Sequence, residues 1–357
     1  MSFLSKQWEG VWSLSPVLVF DESRKIDDDD VALYELVNQH RNFINILQRY
    51  LEFREKDKTT QVLDKFRLRM TRYLDRDSGI VNKWLSFACE RSVKEVDLSL
   101  EIAWNKQLEF YYCLSPISLL NANSALSVLI WECPSIEFLS LNTCSFEDSA
   151  FRVSSSNLKS LEITHCDARY IRVDKAVNLE YFTFSSEFWV QNMTLNASFN
   201  LKYISIHARG LRNLSLQGCH HSAKANIHTP GLLLFDFHGF LKSKLSLEAP
   251  YLRTAIIALS DIYDGESHYF SELRDFLKAF DGIDQINLHV CDFKGLIFPE
   301  NFRETFSSPL TSLKYFGVYM SNSPTKAKDY SEIKASMTWM APSATRFWYP
   351  WPRLPLI

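Results

Sequence analysis

Apolar positions recur through the middle of the chain at a fixed spacing of three residues and then two. Leu158, Leu161 and Ile163 follow L-x-x-L-x-L, and Cys166 closes the pattern three residues on. Ile136, Leu139, Leu141 and Cys144 repeat it upstream, and Leu179, Phe182, Phe184 and then Leu201, Ile204, Ile206 repeat it downstream. The first positions fall at 136, 158, 179 and 201, in steps of 22, 21 and 22 residues. Alternation of apolar and polar residues at the end of each unit predicts a strand with one buried face. Further units are Leu232/Phe235/Phe237, Leu252/Ala255/Ile257, Ile283/Ile286/Leu288 and Leu313/Phe316/Val318, with the last two steps stretched to 31 and 30 residues. Leu211, Leu214, Leu216 and Cys219 match well but follow Leu201 by only 10 residues, so two kinds of strand interleave there. The short runs Arg172-Val173, Thr194-Leu195 and Ser246-Leu247 are assigned to a convex edge, and the longer matches to a concave sheet.

A period of this length with this pattern predicts a leucine-rich-repeat solenoid of the α/β class. Such a horseshoe carries a parallel sheet on its concave face, preceded here by a short helical N-terminal region. Ser2 to Leu14 reads as a short amphipathic helix, and Pro16 forces an extended segment after it. Leu33, Leu36, Val37, Phe43, Ile44, Leu47 and Leu51 share one helical face, with Asp30 as N-cap and the acidic run Asp27 to Asp30 at the helix start. Residues 54 to 60 read as a surface turn. Phe66 to Met70 alternates as a strand, Ile80 to Cys89 reads as a helix, and Val93, Val96 and Leu98 open the first repeat strand. Between 98 and 136 only Ile117, Leu120 and Ala122 hold a weak register. Ser267 to Phe280 is a good amphipathic helix, and Met337 to Ala341 the end of another. The aromatic stretch Arg346 to Pro352 reads either as a cap over the last repeat or as an exposed proline-rich ligand.

Composition narrows the function. Of 357 residues, 46% are hydrophobic and 23% charged, as in a folded protein, and the net charge of -3 without a basic block disfavours nucleic acid. The first 20 residues lack a secretory core, and no stretch reaches the apolar length of a membrane span, so an intracellular location, cytoplasm or nucleus, is expected. Seven cysteines are an odd number, and Cys144, Cys166, Cys219 and Cys291 occupy the repeat's own position, which argues against a disulfide framework. The sequons at Asn192, Asn196 and Asn213 read as chance matches in that setting. No phosphate-binding glycine loop, nucleophile elbow or H-E-x-x-H is present. Cys219-His220-His221 and His165-Cys166 are the dense metal-capable groups, but each Cys completes a repeat register, and no paired C-x-x-C accompanies them. Asp75 and Asp77 have no partner that sequence alone can place. The expectation is therefore a non-catalytic protein with no cofactor and no metal.

What remains is geometric. Residues between the leucine positions point away from the core, and stacking the units aligns them in columns. They read Phe138, Ser140, Asn142; Ser160, Glu162, Thr164; Tyr181, Thr183, Ser185; Tyr203, Ser205, His207; and Gln285, Asn287, His289. Tyrosine beside small polar groups suits protein recognition, because the ring offers contact area at low entropic cost. Ser160, Glu162, Tyr181, Thr183, Tyr203, Ser205 and His207 are the candidate partner contacts.

Leu4-Ser5-Lys6-Gln7-Trp8 through Trp12 and Pro16, followed by Val17-Leu18-Val19-Phe20-Asp21, resembles the closing segment of a plant F-box. Lys65-Phe66-Arg67-Leu68, Val81 to Leu85, Val93 to Leu98 and the lead-in Cys133-Pro134-Ser135-Ile136-Glu137 resemble the remainder of the plant F-box/leucine-rich-repeat family. The resemblance implies a substrate-recognition subunit of a Skp-cullin-F-box ubiquitin ligase, which does no covalent chemistry itself. It makes residues 1–26 the residual end of an F-box, 27–60 a helical linker, 61–320 the repeat domain and 321–357 a C-terminal cap or tail. Leu4, Trp8 and Trp12 become the contacts to a Skp-type adaptor. The earlier L-P-x-x-(I/L)-L part of that motif does not appear after Met1, so adaptor binding is expected to be weakened, with a ligase-independent scaffold as the alternative.

Overall fold

The computed structural model describes residues 15–22, 33–56, 62–73, 77–102, 134–144, 150–263, 265, 268–322, 324 and 326–348. The expected helix at 2–14, the Asp30 cap, the weak register at 103–133 and the end of the tail lie outside them. The chain divides into two compact units, residues 1–189 and 190–357.

In the first unit β1 (Val17–Asp21), α1 (Leu33–Lys56), β2 (Lys65–Tyr73), α2 (Ser78–Glu90) and β3 (Glu95–Ile102) lead into β4 (Phe138–Asn142), β5 (Ala150–Ser154), β6 (Ser160–Thr164), β7 (Tyr170–Asp174) and β8 (Tyr181–Ser186). Strands β1, β2, β3, β4, β6 and β8 pair in parallel, in that order, without slipping across their five central positions. A one-residue slip would turn every leucine outward, so burial of one face fixes the register. Leu18, Phe66, Val96, Leu139, Leu161 and Phe182 form one buried row, and Leu68, Leu98, Leu141, Ile163 and Phe184 belong to the next. Parallel partners need a long return connection between them; among the described residues a helix lies between β1 and β2 and between β2 and β3, and a second strand between β4 and β6 and between β6 and β8. Strands β5 and β7 pair with each other as a second ladder, so Arg172-Val173 does lie apart from the main one.

The helix predicted from Leu33 to Leu51 is longer than its apolar stripe. It runs on to Lys56, through the first residues of the expected turn, because Arg54 is buried and reaches the Ser15 carbonyl at 3.4 Å. Helices α1 and α2 close over β1 and β2 through aromatic rings. Trp84 lies 4.7 Å from Phe20, 5.9 Å from Phe66 and 6.0 Å from Tyr50, centroid to centroid. Trp84 is fully buried, and aromatic pairs in this range add about 0.5–1.5 kcal/mol each beyond area burial.

A charged group threads the same region. His40 of α1 hydrogen-bonds Glu22 through Nδ1 at 2.8 Å and Asp77 through Nε2 at 2.9 Å, all three side chains being 3–5% exposed. Glu22 also accepts the Thr71 and Arg72 amides of β2 at 2.9 and 3.3 Å. Burial works against a charge on His40, but the bonds to Asp77 and Glu22 outweigh it and push its pKa up to about 9. Asp77, which the sequence left without a partner, precedes α2 and so ties that helix to α1.

In the second unit β9 (Asn192–Ala208) and β10 (Asn213–His228) are long strands that each serve two ladders. Their first halves pair Asn192 to Asn213, and that ladder continues into β11 (Leu234–Gly239), β13 (Thr254–Leu259), β14 (Gln285–Asp292), β15 (Tyr315–Asn322) and β16 (Arg346–Trp348). Their second halves pair Tyr203 to Lys224, and β10 then pairs with β12 (Lys244–Glu248). A register shift at Gln217 to Lys224 marks the crossing from one ladder to the other. The stretched spacing before Ile283 has its cause in α3 (His268–Lys278), which buries Tyr269, Phe270, Leu273, Phe276 and Leu277, with Phe276 5.6 Å from Phe237. A 3-10 turn (Phe293–Leu296) and α4 (Glu300–Thr305) stretch the next. α5 (Ala327–Met340) follows β15, and its buried Ser336 accepts the Phe298 amide at 2.9 Å.

The repeat-position thiols of Cys144 and Cys166 are buried and bond backbone: Cys144 Sγ donates to the Asn142 carbonyl at 3.4 Å and Cys166 Sγ to that of Thr164 at 3.3 Å. Cys89, at the end of α2 and outside the ladder, is disulfide-bonded, which the cysteine pattern did not anticipate.

Candidate protein-interaction face

The face of the first unit's ladder that points away from its core is built by register alone. Lys65, Glu95, Phe138, Ser160 and Tyr181 stand in one row, and Arg67, Asp97, Ser140, Glu162 and Thr183 in the next. Arg69, Ser99, Asn142, Thr164 and Ser185 form the third. A groove of about 470 Å³ runs over β2, β3, β4 and β6, lined by Arg67, Arg69, Glu95, Asp97, Phe138, Ser140, Asn142, Ser160, Glu162 and Thr164 among others.

Charge is ordered across it. Arg67 Nε donates to Asp97 Oδ2 at 2.6 Å, and Arg69 reaches the same oxygen at 3.5 Å. Two guanidiniums thus share one buried carboxylate, and Lys65 pairs with Glu95 beside them. On the other side of the groove Glu162 is exposed and accepts only a hydroxyl hydrogen bond among those described, from Ser140 at 3.3 Å. Asn142 links the third row, donating to Ser99 at 3.4 Å and accepting from Thr164 at 3.1 Å. These cross-strand bonds hold the polar side chains in fixed positions before any partner arrives, which lowers the entropic cost of binding. Phe138 and Tyr181 stand on either side of Ser160, 43% and 45% exposed. Exposed rings that flank a small residue leave a notch for an apolar side chain. The arrangement presents hydrogen-bonding groups, ordered charge and rings.

Of the residues expected to make contacts, Ser160, Glu162, Tyr181 and Thr183 share this face, and the first two line the groove. Tyr203, Ser205 and His207 do not continue the main ladder of their own unit. They pair with Lys224, Asn226 and His228, on the ladder that ends in β12, whereas the row of Gln285, Asn287 and His289 leads back to Asn192, Thr194 and Asn196. Assignment of Thr194-Leu195 to the edge and of Tyr203 to the main sheet was therefore inverted. The cause is that 22 residues separate Leu179 from Leu201, so spacing favoured the wrong half of a strand that satisfies both ladders. Within the second unit the main ladder carries Val190, Met193 and Leu195, followed at 21 residues by Leu211, Leu214 and Leu216, all buried. Leu4, Trp8 and Trp12 lie outside the described residues. Arg67, Arg69 and Asp97 were not foreseen as site residues; alternation in Phe66 to Met70 showed that the arginines point outward, but not that β3 brings Asp97 between them.

A family model described as At1g61320/AtMIF1, LRR domain, matches residues 56–293 of the chain. The chain belongs to this leucine-rich-repeat family. Membership makes the parallel ladders leucine-rich repeats and the fold an α/β repeat solenoid with an unclosed sheet, a module for protein interaction. The F-box/LRR-repeat protein At3g58930 of Arabidopsis thaliana is 25% identical over 108 residues, which are 30% of this chain and 21% of that relative. The matched stretch thus spans about a fifth of the relative's length. Together the two comparisons support a plant F-box/leucine-rich-repeat protein. No solved structure matches the chain significantly. Among the described residues, no helix is long and apolar enough to cross a membrane.

Proposed function

We propose that the chain is a substrate-recognition subunit of a Skp-cullin-F-box ubiquitin ligase, and that the outward face of its first-unit ladder holds the protein to be modified. The groove carries the reading, because its arginines, carboxylates and hydroxyls are fixed in register and its rings are left open to solvent. The F-box in the name of the Arabidopsis relative supports the ligase half, as does the resemblance of residues 4 to 21 to the end of that motif. In this reading residues 1–26 belong to the F-box, 27–60 to a linker, 61–320 to the repeats and 321–357 to a cap. Leu4, Trp8 and Trp12 face the Skp-type adaptor; Ser160, Glu162, Tyr181 and Thr183 face the partner, with Tyr203, Ser205 and His207 on the second ladder as a separate contact. The protein acts inside the cell, without a cofactor.

Size-exclusion chromatography of the full chain with a purified Skp-type adaptor at micromolar concentration tests the ligase half. Coelution supports it. Separate elution leaves a ligase-independent scaffold that holds the same partners, and the groove is then tested on its own.

A further inference from the structure

We infer that the notch between Phe138 and Tyr181 takes an arginine side chain of the bound partner, with its guanidinium on Glu162. The inference rests on the reading of this face as a partner-binding surface and names the chemistry of what it holds. Its ground is one carboxylate left over when the charges of the face are paired. At the β2 end Arg67 and Arg69 meet Asp97 on β3 and Asp21, which stands in register with Arg69 on β1. Lys65 and Glu95 satisfy each other. That part of the face is balanced, with Lys65, Arg67 and Arg69 against Glu95, Asp97 and Asp21. Glu162, two strands from Asp97, is exposed, and among the described residues no cation pairs with it. Its one described bond comes from the Ser140 hydroxyl, which meets Oε2 at 3.3 Å and leaves Oε1 open.

The rings supply the rest of the site. Phe138 and Tyr181 stand in register with Ser160, one strand away on either side, and neighbouring strands lie about 4.8 Å apart. Their Cβ atoms are therefore about 10 Å apart over a small residue, which leaves the width of one side chain between the rings. Glu162 lies two residues along β6 from Ser160, about 6.8 Å away on the same outward face. An extended arginine covers that distance: its methylene stem packs between the rings and its head reaches the carboxylate. A guanidinium gains twice there, as an ion pair with Glu162 and as a cation beside aromatic faces. Lysine offers the charge but not the planar group that stacks on a ring, so arginine is preferred. An acidic side chain in the same place is repelled by Glu162, which gives the notch its selectivity.

Selection of a phage-displayed library of random dodecapeptides against the full chain tests this, with Glu162→Gln and Ser160→Trp as comparison baits. Position 162 is solvent-exposed and position 160 faces outward, so neither exchange disturbs the core. Ser160→Trp fills the notch and reports whether a selected peptide uses it. The expected result is a recurrent arginine among notch-dependent peptides, lost from those selected on Glu162→Gln. Synthetic copies of the selected peptides, titrated by calorimetry, should weaken about tenfold on Glu162→Gln, which corresponds to about 1.4 kcal/mol. Replacing the arginine with citrulline, which keeps the shape and drops the charge, should cost the same on the wild type and nothing further on Glu162→Gln. Notch-dependent peptides without a recurrent arginine, or with an arginine indifferent to Glu162, overturn this inference while leaving the face a partner site. Absence of any notch-dependent peptide overturns both.

Discussion

Replacing His40 with glutamine should remove the loss of the first unit's stability at alkaline pH, and the sign of that dependence is fixed by the structure. In the folded chain His40 is held between Glu22 and Asp77, and its pKa stands at about 9 against an ordinary 6.5. The charged ring favours the folded state. Its contribution is complete below pH 6.5 and drains away as the pH rises through about 9. A displacement of that size corresponds to roughly 3 kcal/mol, an upper bound for a group whose partners share its protons. Glu22 acts in the opposite direction: burial raises its pKa, but the bonds from His40 and from the Thr71 and Arg72 amides lower it below 4.5, so its contribution is lost on acidification. The unit should therefore be most stable between about pH 4.5 and 6.5. Glutamine keeps one hydrogen bond and no charge, so Glu22, which Arg72 approaches at 3.7 Å, and Asp77 lose the cation they share, which costs about 3–5 kcal/mol at pH 6. Native-state hydrogen exchange by mass spectrometry, following α1 and α2 as urea rises, measures this separately from the second unit. The wild type should lose opening free energy between pH 6 and pH 9.5 and the variant should not. Equal losses in both would refute the assignment of the pH dependence to His40, and Glu22→Gln, which removes one partner and lowers the His40 pKa, checks the same network if the first variant fails to fold.

Phe182→Ala, in a fully buried position of β8, should destabilise the first unit by about 3–5 kcal/mol in urea titration. Gly231→Ala sets a methyl group 2.5 Å from the Arg209 carbonyl oxygen, which is backbone and cannot swing aside, and should cost about 1–3 kcal/mol in the second unit. Gly317→Ala meets the Asn287 side-chain oxygen at 2.6 Å; that amide can rotate, so the thermal midpoint should fall less than for Gly231→Ala. Lys314→Ala removes the surface partner of Asp284 at 2.6 Å and should leave the thermal midpoint unchanged in moderate salt, because water screens an exposed pair.

The sequence by itself determined the ladder. A leucine or phenylalanine at every third and then second position can be buried in only one way, on one side of a parallel strand stacked on its neighbours, and so Leu139, Leu161 and Phe182 align in the structure as their spacing requires. The outward row of Ser140, Glu162 and Thr183 follows from the same parity. Parity does not say which ladder a strand joins, and Asn192 to Ala208 satisfies two, so only pairing with β10 decided that Thr194 and not Ser205 continues the main one. Nor does spacing bring together charges that are far apart in the chain. His40 finds Glu22 and Asp77 because α1 and α2 close over β1, and Asp97 comes between Arg67 and Arg69 because β3 lies beside β2. Hydrophobic period is a local property and is written along the chain. Ionic partners are chosen by distance in space, which exists only once the layers have packed.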